Sequence, residues 1–177
     1  MKIESPTFTL DDLKAFLDTY HDRERTILAD RLKHASERLT ALGPRIRSER
    51  SEREEWTAHE LLAHVAVLSK FYGVLVHRIA TGQQPNIDIM EAVRLRDSVG
   101  HQMSLLEPPD LLRMIVADHD RTAETLRTAA SDDLRRSARL GDDIEMTAED
   151  IARLPLVSHL EIHIEQLEKL LAGQPAV

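Results

Sequence analysis

Cysteine is absent from this chain. That excludes disulfides, thiolate metal sites and a cysteine nucleophile, and it is compatible with a reducing compartment. Aromatic residues are scarce, 3% of 177 residues, so any core must be aliphatic. Glycine and proline are sparse, with 6 and 7 copies, and the remaining composition favours helix over strand. There is no basic footprint: 23 Lys and Arg against 31 Asp and Glu leave a formal charge of −8. An acidic chain without an aromatic stacking platform is a poor nucleic-acid binder. No apolar run approaches the ~20 residues of a membrane span. The N-terminus, Met1-Lys2-Ile3-Glu4-Ser5-Pro6, has no apolar signal core. We therefore expect a soluble cytoplasmic protein that engages neither membrane nor nucleic acid. Its length suits one domain over residues 1–177.

What is present is a string of amphipathic helices. The first is expected from Thr9, paired with Asp12 as a capping box. Its apolar stripe runs Leu13, Phe16, Leu17, Tyr20, Ile27, Leu28, Leu32, Ala35, Leu39 and Leu42, and Gly43-Pro44 stops it. The stripe thins around His21 to Arg25, where a bend or a break is expected. Residues 45–55 form a charged connector whose acids alternate with its bases, read as a solvated linker. Thr57 and Glu60 cap the second helix, with Trp56 and Leu61 at the staple positions, and Gly82 lies past its end. Segment 83–107 is a long crossover with a short helix from about Asp88, where Asp88 and Glu91 can cap. A connection of that length suggests the wall of a pocket. A third long helix starts near Pro108. The last starts at Thr147 with Asp150, and Pro155 should kink or restart it before it ends near Gly173. No segment alternates long enough to predict a strand. The expected fold is all-α, a four-helix bundle with a long crossover.

Nine histidines are distributed along the chain. His159 and His163 lie one turn apart on the last helix, roughly 40° in azimuth and ~6 Å along the axis, a spacing at which two imidazoles can share an ion. Counted from His159, Leu156, Leu160, Ile164, Leu167, Leu170 and Leu171 span an arc of roughly 20° to 140°. His163 falls inside that arc and His159 at its edge, with Glu161, Glu165 and Glu168 on the far side. On the second helix His64 sits at the rim of a stripe running from Leu61 to Ile79. Buried imidazoles need partners for two nitrogens each. The nearby polar residue on that face is Gln166, and one cation would satisfy a nitrogen on each ring at once. The alternative is that these are satisfied core histidines, since one HxxxH is a weak signal. His119 lies mid-stripe between Ile115 and Leu126 and reads best as a core histidine, with a ligand, positioning or acid–base role as alternatives. His59 is expected to be exposed, and His77 to point away from the core. His21, His34 and His101 carry no pattern.

Two motifs carry a family resemblance. Trp56-Thr57-Ala58-His59-Glu60-Leu61-Leu62-Ala63-His64-Val65 resembles the second-helix motif of the DinB/YfiT-like metalloenzyme superfamily. His159-Leu160-Glu161-Ile162-His163-Ile164-Glu165-Gln166-Leu167 resembles its closing HxxxH motif. The resemblance implies a four-helix bundle in which His64, His159 and His163 bind one divalent metal, commonly zinc or nickel. It also implies homodimers and, in some members, thiol-dependent S-transfer or isomerisation with bacillithiol or mycothiol. The charged connector and Pro155, four residues before a ligand, depart from the pattern, and the second puts the placement of His159 in question.

Three functions follow as expectations. The first is S-transfer to a small-molecule electrophile by an external low-molecular-weight thiol, whose pKa a nearby cation lowers. The second is hydrolysis by a water acidified in the same way. His119 and Glu60 are candidate proton-transfer groups, although nothing in their spacing selects either. The third is a non-catalytic metal-binding bundle. Thiol transfer ranks first.

Overall fold

A computed structural model describes residues 9–49, 56–141 and 144–173. The backbone is mainly helical: α1 (Leu10–Leu42), α2 (Ala58–Ala80), α3 (Ile89–Met103), α4 (Pro108–Thr128), α5 (Ser131–Leu134), α6 (Ala148–Ile151) and α7 (His159–Leu171). The expected helix starts are present. Thr9/Asp12, Thr57/Glu60 and Thr147/Asp150 each form a reciprocal capping box, satisfying donors that a helix N-terminus leaves open. Pro108 opens α4. Asp88 caps α3 alone, accepting from the Met90 and Glu91 N–H groups.

α4 and the C-terminal helix each pack against both α1 and α2, which places α1 and α2 at opposite corners of the bundle. α2 also receives α3. By length and a mean hydropathy of 1.2, α2 passes as a membrane span. Packing against several helices accounts for that apolarity, since Leu61, Leu62, Val65, Ala66, Val76 and Ile79 are all buried in one aliphatic core. Gly73 permits close approach of α4: a Cβ there would lie 2.6 Å from Thr122 Oγ1.

Several expectations need correction. α1 is one continuous helix through His21–Arg25 and not two pieces. Polar contacts hold that stretch where apolar ones are missing: Ser131 Oγ donates to Asp22 at 2.6 Å, Arg153 reaches Glu24 at 3.3 Å, and Arg25 donates to the Ala129 carbonyl. The N-terminal half of its stripe is not core. Leu13, Phe16, Leu17, Tyr20 and Ile27 are exposed, and burial begins at Leu28. Three short strands are present where none was expected: β1 (Asn86–Ile87), β2 (Ser137–Leu140) and β3 (Ile144–Thr147), with β1 parallel and β3 antiparallel to β2. At two to four residues they are too short to show a period.

The irregularity expected at Pro155 is present: α geometry stops at Ile151 and resumes at His159. Residues Ala152–Ser158 form a π turn that joins α6 to α7. The His159 N–H reaches back to the Leu154 carbonyl, one residue further than in an α-helix. Residues 50–55 of the charged connector lie outside the described residues. Its first part is anchored: Ile46 is buried and Arg45 donates to the Leu171 carbonyl at 2.8 Å.

Candidate metal centre

The site is built from two helices. The Thr57 cap starts α2 so that His64 comes two turns in, half-buried. The C-terminal helix supplies His159, half-buried, and His163, buried. Glu161 and Glu168 sit on the opposite face of α7, as the helical wheel requires, and there they meet α1. Arg31 binds Glu161 through two nitrogens at 3.0 and 2.6 Å, and Arg38 binds Glu168 at 2.9 to 3.2 Å. Each pair is partly exposed and contributes at most about 1 kcal/mol. Being two-pronged and two turns apart, they also fix the rotation of α7, and so the direction of its histidines.

The structure brings together the three histidines picked out by the sequence. One ring nitrogen from each of His64, His159 and His163 lies within 4.8 Å of the others. Ring centroids are 4.9 Å apart for His64–His163, 4.4 Å for His159–His163 and 6.2 Å for His64–His159. Nitrogens bound to one tetrahedral zinc at ~2.0–2.1 Å stand ~3.4 Å apart, so closure needs side-chain shifts on the order of 1 Å.

His163 Nδ1 donates to Gln166 Oε1 at 2.8 Å, which places the lone pair on Nε2. Nε2 is buried and has no hydrogen-bond partner. A ligating imidazole needs this arrangement: one nitrogen held by an outer hydrogen bond, the other bare. Burial pushes the His163 imidazole below its ordinary value; the Gln166 hydrogen bond opposes this and the neighbouring His159 ring adds to it. The ring is therefore biased toward the neutral, ligating form. The donor set and the bare buried nitrogen fit a divalent cation.

Trp56 covers the cluster. Its ring lies 4.6 Å from His64 and 6.5 Å from His163, centroid to centroid. The sequence placed it in a staple with Leu61 and missed this role. The available signal was a lone tryptophan one residue before a helix cap, eight positions from a histidine on the same helix.

Besides a void of ≈ 10 Å³ beside His163, two larger clefts among the described residues meet the cluster. One, of ≈ 320 Å³, is lined by Trp56, Glu60, Ala63, His64, Val67, Gly100 and Ser104. The other, of ≈ 430 Å³, reaches His159 between α2, α3, the small sheet and the π turn. The crossover 83–107 thus walls both, through Gly100 and Ser104 in the first and Ala92 and Val93 in the second.

The two candidate proton-transfer groups separate. Glu60 stands in the cleft beside His64, its carboxylate also accepting from the Thr57 N–H at 2.9 Å. His119 lies outside the cluster, buried, with Nε2 sharing a 2.8 Å hydrogen bond with Ser69 Oγ. Burial lowers its pKa to about 4, only partly opposed by Asp118. That is the behaviour of a core histidine. His59, expected to be exposed, is buried, and its Nε2–H donates to the Leu106 carbonyl at 2.8 Å. The end of the crossover lies over the first turn of α2, a neighbour the wheel did not include. His77 is exposed as expected.

The sequence profile of the DinB superfamily matches residues 27–167. Two solved structures are similar in fold: a mycothiol-dependent maleylpyruvate isomerase, at 22% identity and a TM-score of 0.56, and a histidine-to-alanine mutant of that enzyme, at 22% and 0.57. Each match covers 88% of this chain and 61% of the other, so this chain spans about three fifths of their length. Comparison with curated protein sequences finds no match. The profile covers most of the chain, and on that match the chain belongs to the DinB superfamily.

Proposed function

We propose that His64, His159 and His163 hold one divalent metal ion, zinc or nickel, and that the chain is a metal-dependent enzyme transferring an external small thiol to an electrophile. The observation that carries this reading is the convergence of three imidazoles around one bare, buried nitrogen. The chain has no cysteine, so the thiol comes from outside. The mycothiol dependence of the enzyme with the similar fold supports thiol over water as the nucleophile.

The ion would supply acidity, lowering the pKa of a thiol at its open position. The protein does the rest. Gln166 fixes the tautomer and orientation of His163. The Arg31–Glu161 and Arg38–Glu168 pairs fix the helix that carries two of the rings. Trp56 shields the His64 ring from water. Glu60 and Ser104 give the adjoining cleft polar walls suited to the body of a hydrophilic thiol, and Glu60 is within that cleft to take up the thiol proton. The sulfur lone pair would form the new S–C bond as the electrophile's leaving group departs with the electrons of the broken bond, and the thiol proton held at Glu60 would pass to that group.

Protein purified without an affinity tag should carry about one equivalent of metal by elemental analysis. It should conjugate a low-molecular-weight thiol to a chromogenic electrophile only when metal-loaded. Metal-dependent cleavage of esters with no thiol present, and no conjugation with any thiol, would replace this reading with hydrolysis. Full metal content in a His159→Ala/His163→Ala protein would remove the site itself.

A further inference from the structure

The second cleft differs in chemistry from the first. Phe71 and Leu75 of α2, Val93 of α3, Leu140 of β2 and Leu154 of the π turn form its walls, and none of the side chains lining it is charged. Its polar margin is His159, the ring it shares with the metal cluster, and Tyr72. At ≈ 430 Å³ it lies within the range of small-molecule sites. All three strands of the small sheet contribute to its lining, through Ile87 of β1, Leu140 of β2 and Met146 of β3, and Ile87 is buried. A ligand carboxylate at its apolar far end would give up water without meeting a cationic lysine or arginine of the lining.

We infer that this cleft binds the uncharged apolar portion of the electrophilic substrate, an aliphatic or aryl group, with the reacting carbon held at the His159 end. The polar cleft by Trp56, Glu60 and Ser104 is left to the thiol. The two reactants therefore reach the cluster through different clefts. Substrates with a carboxylate at the far end are rejected. The inference rests on the proposed metal site only for the anchoring end of the ligand.

The test is isothermal titration of zinc-loaded protein with n-alkyl hydroxamic acids of two to eight carbons, together with an ω-carboxyl hydroxamate of matching length. The hydroxamate anchors on the metal and the chain probes the cleft. Affinity should rise roughly fourfold per methylene over the first several carbons. The ω-carboxyl compound should lose that gain. Leu154→Arg, at the exposed rim, should flatten the series and favour the ω-carboxyl compound. Val93→Trp should flatten it by filling the cavity. Both variants should keep wild-type zinc stoichiometry, which shows that they fold. A wild-type series flat with length, or an ω-carboxyl compound binding as tightly as its alkyl counterpart, overturns the inference. n-Alkanols of the same lengths, titrated into metal-free protein, separate the two proposals. A surviving slope with no zinc-dependent hydroxamate binding upholds the cleft and rejects the metal, whereas zinc-dependent binding with no slope in either series does the reverse.

Discussion

His163 and His119 begin alike. Both are buried, each is hydrogen-bonded through one ring nitrogen, and each leaves the other nitrogen without a partner. Burial lowers both pKa values. The difference lies in the neighbours. His163 stands within 4.9 Å, ring to ring, of both His64 and His159. His119 stands against a serine and belongs to no such group among the described residues. Burial and an unsatisfied nitrogen are therefore common to site and core here. Convergence from separate helices is what distinguishes the site.

The sharpest way to break the comparison is to remove a ring from each side. His163→Ala or His64→Ala should take metal content from about one equivalent to near zero, while His119→Leu should leave it unchanged, both read by elemental analysis. A wild-type protein saturated at 100 times its dissociation constant should also gain about 2.7 kcal/mol of stability from the metal, and the ligand variants should gain none.

The next effect belongs to His119. Its folded pKa, about 4, lies below the ordinary 6.5. The unfolded chain therefore binds the proton more tightly, and stability rises with pH across that window. The contribution is complete above pH 6.5 and is lost as pH falls toward 4, about 3 kcal/mol in all. Urea unfolding of metal-free protein at pH 7 and pH 4.5 should show a loss that shrinks by most of that amount in His119→Leu.

Gln166→Ala should act on the site alone. It removes the acceptor for His163 Nδ1, and metal affinity measured by chelator competition should fall about 10- to 100-fold, short of the loss from removing a ligand. The smallest effect is expected from Arg38→Ala. It should cost at most about 1 kcal/mol of stability, diminishing with salt, with metal content intact.

The parts of this structure legible in the sequence are those governed by local rules. Three capping boxes, the proline opening α4 and the faces carrying His64, His159 and His163 all depend on spacing within one helix. The rest depended on packing that spacing does not encode. His59 is buried because the crossover returns over it at Leu106. Leu13 and Phe16 repeat like core residues but extend beyond the helices that would cover them. Spacing alone reads Trp56 as a staple residue and does not reach its neighbour His163, which is remote in sequence. The turn at Pro155 could be anticipated as an irregularity, but not as a π turn, since several distortions answer the same missing N–H.

That turn gives the last helix an unusual tolerance of length. It takes up a surplus residue within a single widened loop of backbone, so the segments on either side keep their bearings. A chain lacking Pro155 could run through as ordinary α-helix and still aim both imidazoles at His64. The same deletion placed after His159 would swing His163 through about 100° and out of reach. A one-residue deletion, normally ruinous inside a packed helix, thus has a permitted location a few residues upstream of the first imidazole.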